Sequence, residues 1–168
     1  METIKIRPYA EKDQEAVIRL ILSIQQDEFG IPISLTDQPD LLKIPEVYQQ
    51  GAGNFWVALH AGSVVGTISL IDIGSRQGAL RKMFVDSAFR GSGFFTANKL
   101  LQGLLKWAAE HELEDIYLGT TEKFLAAHRF YEKNGFRRIE KQELPSSFPV
   151  MRVDTRFYKW EFAAAGAE

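Results

Sequence analysis

Apolar and polar positions change period several times along this chain. Residues 3 to 8, TIKIRP, alternate Ile4 and Ile6 with polar neighbours and stop at Pro8, which predicts a short strand. From Glu11 to about Phe29, Val17, Leu20, Ile21 and Ile24 recur at spacings of three and four, the period of a helix with one buried face. GIPISLTDQPD reads as a loop, and DLLKIPEVYQQ as a second helical segment interrupted by Pro45. NFWVALHAGSVVGTISLIDI then carries two β-rich runs, 54 to 60 and 64 to 73, joined by Ala61-Gly62-Ser63, short enough for a hairpin. ALRKMFV predicts a third strand, ending in the turn FRGSGFF.

Beyond that turn, Ala97, Leu100, Leu101, Leu104, Leu105 and Ala108 form an apolar stripe opposite Lys99, Gln102, Lys106 and Glu110, the mark of a central helix. Gly103 inside it costs roughly 1 kcal/mol relative to alanine and is read as permitting a close contact. IYLG is a buried strand. Thr121 is expected to cap a helix over about 122 to 133, with Glu122 near its positive end and Asn134-Gly135 as its stop. FRRIEKQEL and VMRVDTRFYKWEF, joined by PSSFP, predict a closing pair of strands. The order β α α β β β α β α β β mixes an antiparallel meander with one crossover helix, so a mixed α/β sheet is expected. One domain over residues 1 to 162 and a tail over 163 to 168 follow from the absence of repeats or linkers.

Charge narrows the partners. Lys and Arg total 20 against 22 Asp and Glu, so no global basic field favours nucleic acid or an anionic membrane. No apolar stretch nears the roughly 18 residues of a membrane span, and the start METIKIRPYAEKD has no signal-peptide character. Without cysteine there is no disulfide framework, and His60, His111 and His128 show no metal spacing, so no metal and a cytoplasmic location are expected.

FRGSGFF raises the question of chemistry. A strand feeding a glycine turn that opens a helix presents backbone N–H groups and the positive end of a dipole to an anion. A nucleoside triphosphate loop would need Lys-Ser or Lys-Thr after the glycines, and a dinucleotide fingerprint a third glycine, where this chain has Phe94, Phe95 and Thr96. Three features remain in register: the strand LRKMFVD, the turn Arg90-Gly91-Ser92-Gly93-Phe94-Phe95, and AAHRFYEKNGF downstream. Over residues 79 to 136 they resemble the GCN5-related N-acetyltransferase (GNAT) family.

That resemblance implies a mostly antiparallel central sheet flanked by helices, with splayed central strands at a coenzyme A site. It implies acetyl-CoA as cosubstrate, its pyrophosphate on Arg90, Gly91, Ser92, Gly93, Phe94, Phe95 and Thr96 and its pantetheine arm along the backbone of Met83, Phe84 and Val85. The N–H of Phe84 or its neighbour would steady the oxyanion, and Tyr131, by pattern alone a core aromatic, would protonate the leaving thiolate. Two positions depart from the family: Phe95 replaces a usual Gly or Ala, and Phe124, also expected at the cofactor, replaces a usual Asn. A first-turn helical conformation, with no positive φ, is expected for Phe95.

The acceptor side is expected from Asp27, Glu28, Phe29 and Ile31, beside Gln25 and Gln26, with either acid able to attract an ammonium, the alternative for these residues being a solvated helix end. Phe148, Pro149, Asp154 and Phe157 read as packing or as pocket wall. A base is missing: where relatives place a glutamate, this chain has Gln77-Gly78-Ala79-Leu80, so proton removal through water is expected, with His128 read as a surface residue. The predicted activity is N-acetylation of a small-molecule or peptide amine, with no nucleic acid or membrane partner and a homodimer as its assembly. The alternative is a non-catalytic acyl-CoA sensor of the same fold.

Overall fold

The computed structural model describes residues 3–91 and 93–162; Ser92 and the expected tail, 163–168, lie outside the described residues. In chain order the elements are β1 (Lys5–Pro8), α1 (Gln14–Leu22), α2 (Ile44–Val47), β2 (Asn54–His60), β3 (Ser63–Gly74), β4 (Gln77–Val85), α3 (Thr96–Glu110), β5 (Asp115–Thr120), α4 (Leu125–Lys133), β6 (Arg137–Ile139) and β7 (Arg156–Glu161). The strands form one sheet in the order β1-β2-β3-β4-β5-β7-β6. Only β4 and β5 run parallel, joined by the α3 crossover; the other neighbours are antiparallel. The two hairpins turn on Ala61-Gly62 and Ser75-Arg76, all four residues at positive φ, the handedness that matches strand twist.

Alternation along β2 divides the core between the two faces of the sheet. Trp56 and Ala58 face Leu100, Leu101 and Leu104 of α3, while Phe55 and Val57 face Val17 and Ile21 of α1 and Ile44 of α2. Each fully buried leucine of α3 contributes about 1.5–3 kcal/mol relative to exposure. Among the described residues no helix is long and apolar enough to cross a membrane.

Several expected elements differ in detail. The first helix opens with a 3-10 turn, Glu11–Asp13, and ends in a π-helical turn, Ser23–Glu28, which carries Gln25 into a buried position. Pro45 lies in the first turn of α2 rather than interrupting a helix, because the missing N–H has no partner to lose there. The last helix starts at Leu125, not 122: the Thr121 carbonyl accepts from Phe124 N, and its hydroxyl meets only Lys123 N at 3.4 Å. Gly135, at φ 97°, stops it as expected, with Phe136 N bonded back to Tyr131 O. Gly103 is not forced by packing, since a β-carbon there would meet only Ile6 Cγ2 at 3.8 Å. The closing strands are shorter than their apolar runs, and residues 140 to 155 fold over the sheet, burying Phe148 against Tyr117 and Phe157.

Candidate active site

Strands β4 and β5 pair only at Gln77/Asp115, Gly78/Ile116 and Ala79/Tyr117. From Leu80 and Leu118 onward they diverge, and a cavity of about 820 Å³ opens between them. A bulge helps to part them. Ser69 opposes Arg81 while Thr67 opposes Phe84, so β4 holds one extra residue there, and Lys82 takes a left-handed φ of 55°. That conformation costs roughly 1–2 kcal/mol in a non-glycine residue, and the Thr67 hydroxyl donating to Lys82 O at 2.7 Å helps fix it. Met83, Phe84 and Val85 line the cavity on an edge of β4 that no strand among the described residues covers.

On the α3 side the turn is braced by Arg90. Its Nε donates to Val85 O at 2.7 Å, and its two terminal nitrogens clasp the Glu28 carboxylate, which the guanidinium holds below its ordinary pKa. Glu28 therefore ties the π-helical turn to the glycine turn and is not free to attract an ammonium. Asp27 is exposed and Ile31 buried, both away from the cavity, so Phe29 alone of the four expected acceptor residues lines it. Arg90, Gly91 and Thr96 line the mouth; Gly93 and Phe94 do not, Phe94 packing on Phe89 at 5.0 Å. Phe95 departs from expectation: it is the N-cap of α3 in a left-handed conformation, φ 57°, with its ring 57% exposed at the cavity rim. The Thr96 hydroxyl beside it is buried without a hydrogen-bond partner among the described residues.

Tyr131 of α4 is 4% exposed and lines the cavity. Its hydroxyl has no hydrogen-bond partner among the described residues, and burial pushes its pKa well up, so it stays protonated. Phe124 bridges Phe29 (centroids 4.8 Å) and Phe84 (6.1 Å) edge-on, filling with aromatic surface the place where an asparagine was the family expectation. His128, expected at the surface, is 3% exposed and off the cavity. Its Nε2 hydrogen-bonds the Thr121 carbonyl at 2.9 Å, and burial lowers its pKa, leaving a neutral ring held as a donor.

The opposite mouth, toward α1 and residues 140 to 155, is charged. Arg81, Lys82 and Asp154 line it, with Gln25, Phe148 and Pro149. Lys82, 7% exposed, contacts Gln38 Oε1 and lies 3.5 Å from Asp40 Oδ2; burial lowers its pKa to about 8. Asp40 also accepts the Tyr48 hydroxyl, and Gln38 exchanges hydrogen bonds with Gln25. Arg81 has no carboxylate within 4 Å among the described residues. Sequence reasoning passed over Arg81, Lys82, Gln38 and Asp40; the available signal was two adjacent cations inside an apolar strand that runs into the glycine turn.

Known proteins share this fold. An acetyltransferase of the GNAT family from Staphylococcus aureus superposes with a TM-score of 0.91 at 43% identity, over 95% of this chain and 99% of that one. The PaiA N-acetyltransferase of Thermoplasma acidophilum, solved with coenzyme A, shares the fold at 16% identity and a TM-score of 0.73, over 95% of this chain and 99% of that one. The N-acetylaspartate synthetase of Danio rerio is 38% identical over 109 residues, 62% of this chain; the chain spans only 37% of that relative's length. The family model for the acetyltransferase (GNAT) family matches residues 18–136, and with the splayed β4–β5 pair and the glycine turn opening α3 this chain belongs to that family.

Proposed function

We propose that this chain transfers the acetyl group of acetyl-CoA to the amino group of an acceptor that also bears a carboxylate. One observation carries the reading: one cavity at the β4–β5 splay is lined both by the glycine turn and Tyr131 and by Arg81, which is free of any carboxylate partner among the described residues. Acetyl-CoA supplies an activated thioester. The uncovered edge of Met83, Phe84 and Val85 is suited to bind its arm, and the turn around Gly91, with the unpartnered Thr96 hydroxyl, to bind its phosphates. Asp86 N bonds Val65 O, so the register turns the Phe84 N–H toward β3 and leaves the N–H of its neighbour on the uncovered edge to face the developing oxyanion, while Tyr131 gives its proton to the departing sulfur. Holding both reactants in one cleft makes the encounter effectively unimolecular. Arg81 fits a carboxylate as a forked donor, and the name N-acetylaspartate synthetase, borne by a relative, points to an acidic amino acid.

The test is release of free thiol from acetyl-CoA with aspartate, glutamate, neutral amino acids and their decarboxylated amines as acceptors. Turnover is expected with the carboxylate-bearing acceptors, and Arg81→Met should raise their KM by about 10–100-fold, the worth of a charge-assisted hydrogen bond. Coenzyme A should raise Tm more than ATP at equal concentration. Binding without thiol release for any amine would instead make the chain a sensor.

A further inference from the structure

Proton balance leaves one step unassigned. An ammonium acceptor loses two protons on becoming an amide: one replaces the acetyl group on sulfur, and the other must leave the site. Where the family resemblance implies a glutamate, this chain holds Gln77-Gly78-Ala79, and His128 points its ring into the Thr121 carbonyl. One acidic side chain lines the cavity among the described residues, and it is Asp154.

Its placement is specific. A tight turn bonds Asp154 N to Met151 O at 3.0 Å and Met151 N to Asp154 Oδ2 at 2.8 Å, and Thr155 N then joins Thr120 O at 2.9 Å, so the carboxylate is fixed just before β7. It lies over Gly119 of β5, where a β-carbon would come within 2.7 Å of Oδ2; only glycine leaves that space open. Gly119 is two residues past the last β4–β5 pair, at the level of Arg81, where the strands part. No cation lies within 4 Å of the carboxylate among the described residues. Arg81 and Lys82 of β4 face it from farther off, Lys82 being offset by Asp40; Tyr131 and Lys123 line the cavity from the α4 side.

We propose that Asp154 is the catalytic base, taking a proton directly from the acceptor's ammonium, a step that rests on the acetyl-transfer reading above. The N–H bond breaks, its electron pair stays on nitrogen and attacks the acetyl carbon, the C–N bond forms, and the C–S bond breaks as sulfur takes the Tyr131 proton. The nitrogen's second proton restores Tyr131, and Asp154 passes the first to solvent. Burial raises the Asp154 pKa above the ordinary aspartate value, the direction that strengthens a base.

Asp154→Asn keeps an oxygen for Met151 N–H and removes the base. With an amino acid acceptor at neutral pH, kcat/KM should fall by about 10²–10³-fold while the acetyl-CoA Kd stays unchanged. The deficit should shrink as pH rises toward the acceptor's own pKa, and should nearly vanish with an acceptor analogue whose amine is already neutral at the assay pH. Wild-type protein inactive with every amine would sink the acetyl-transfer reading itself. Active wild type with Asp154→Asn within threefold at all pH values, with only acceptor KM altered, or with an equal loss for the neutral amine would overturn the assignment of Asp154 alone.

Discussion

The natural chain should gain stability as pH rises from about 8 to 10.5, and Lys82→Met should abolish that rise. The lysine is 7% exposed, and burial brings its pKa from 10.5 to about 8. Between those values the unfolded chain binds a proton that the folded chain has released, so the free energy of unfolding climbs as pH rises through the window. Below pH 8 both states are protonated and the slope from this group disappears, leaving the cost of the buried charge fully present. The difference corresponds to about 3 kcal/mol, or roughly 6–12 °C in Tm for a chain of this size. Methionine keeps the volume; Asp40 loses its cation but retains the Tyr48 hydroxyl, and Gln38 retains Gln25. Tm measured from pH 7 to 10.5 for both proteins gives a difference curve in which groups away from Lys82 and Asp40 cancel. A flat curve would show that Lys82 keeps its ordinary affinity for a proton, and the reasoning from burial would fail.

Three further outcomes follow from the site. Tyr131→Phe should lower kcat by about 10²-fold with Tm unchanged, because the hydroxyl makes no hydrogen bond among the described residues; near-normal kcat would leave Tyr131 a packing residue. Phe95→Gly removes a left-handed cost of roughly 1–2 kcal/mol and adds a backbone entropy cost of about 0.5–1 kcal/mol, so Tm should rise slightly; a fall would contradict the φ of 57°. Gly119→Ala must displace the Asp154 carboxylate, so kcat/KM should approach that of Asp154→Asn with acetyl-CoA affinity kept, and full activity would place the carboxylate elsewhere.

The fold was legible because its signals are local. The stripe from Ala97 to Ala108, the hairpin at Ala61-Gly62 and the Asn134-Gly135 stop each depend on a few adjacent residues, and each stands where the pattern put it, whereas helix starts and strand lengths moved. The α3 half of the site was legible for the same reason: strand, turn and helix are consecutive, and Phe84, Gly91, Thr96 and Tyr131 all reach the cavity. Phe95 was misjudged because sequence spacing does not report φ. Glu28 was misassigned because its partner, Arg90, is 62 positions away and belongs to a motif read by its glycines.

The acceptor half was hidden by the bulge. In a regular strand Arg81 and Lys82 would point to opposite faces of the sheet, and the period-two pattern gives no reason to join them. One extra residue in β4 resets that alternation, so both cations line the same cavity while Leu80 and Val85 keep their places in the core. The bulge costs backbone strain at Lys82 and desolvation of its charge, and nothing in the packing of β3 on β4 requires either. A strand that needed only to hold the sheet together would be better served by an apolar residue at position 82. That argument ties the strain to the cleft: on the reading proposed above, Arg81 serves the acceptor's carboxylate and Asp154, with no cation within 4 Å among the described residues, its amine, while Lys82 stands beside them held by Gln38 and Asp40.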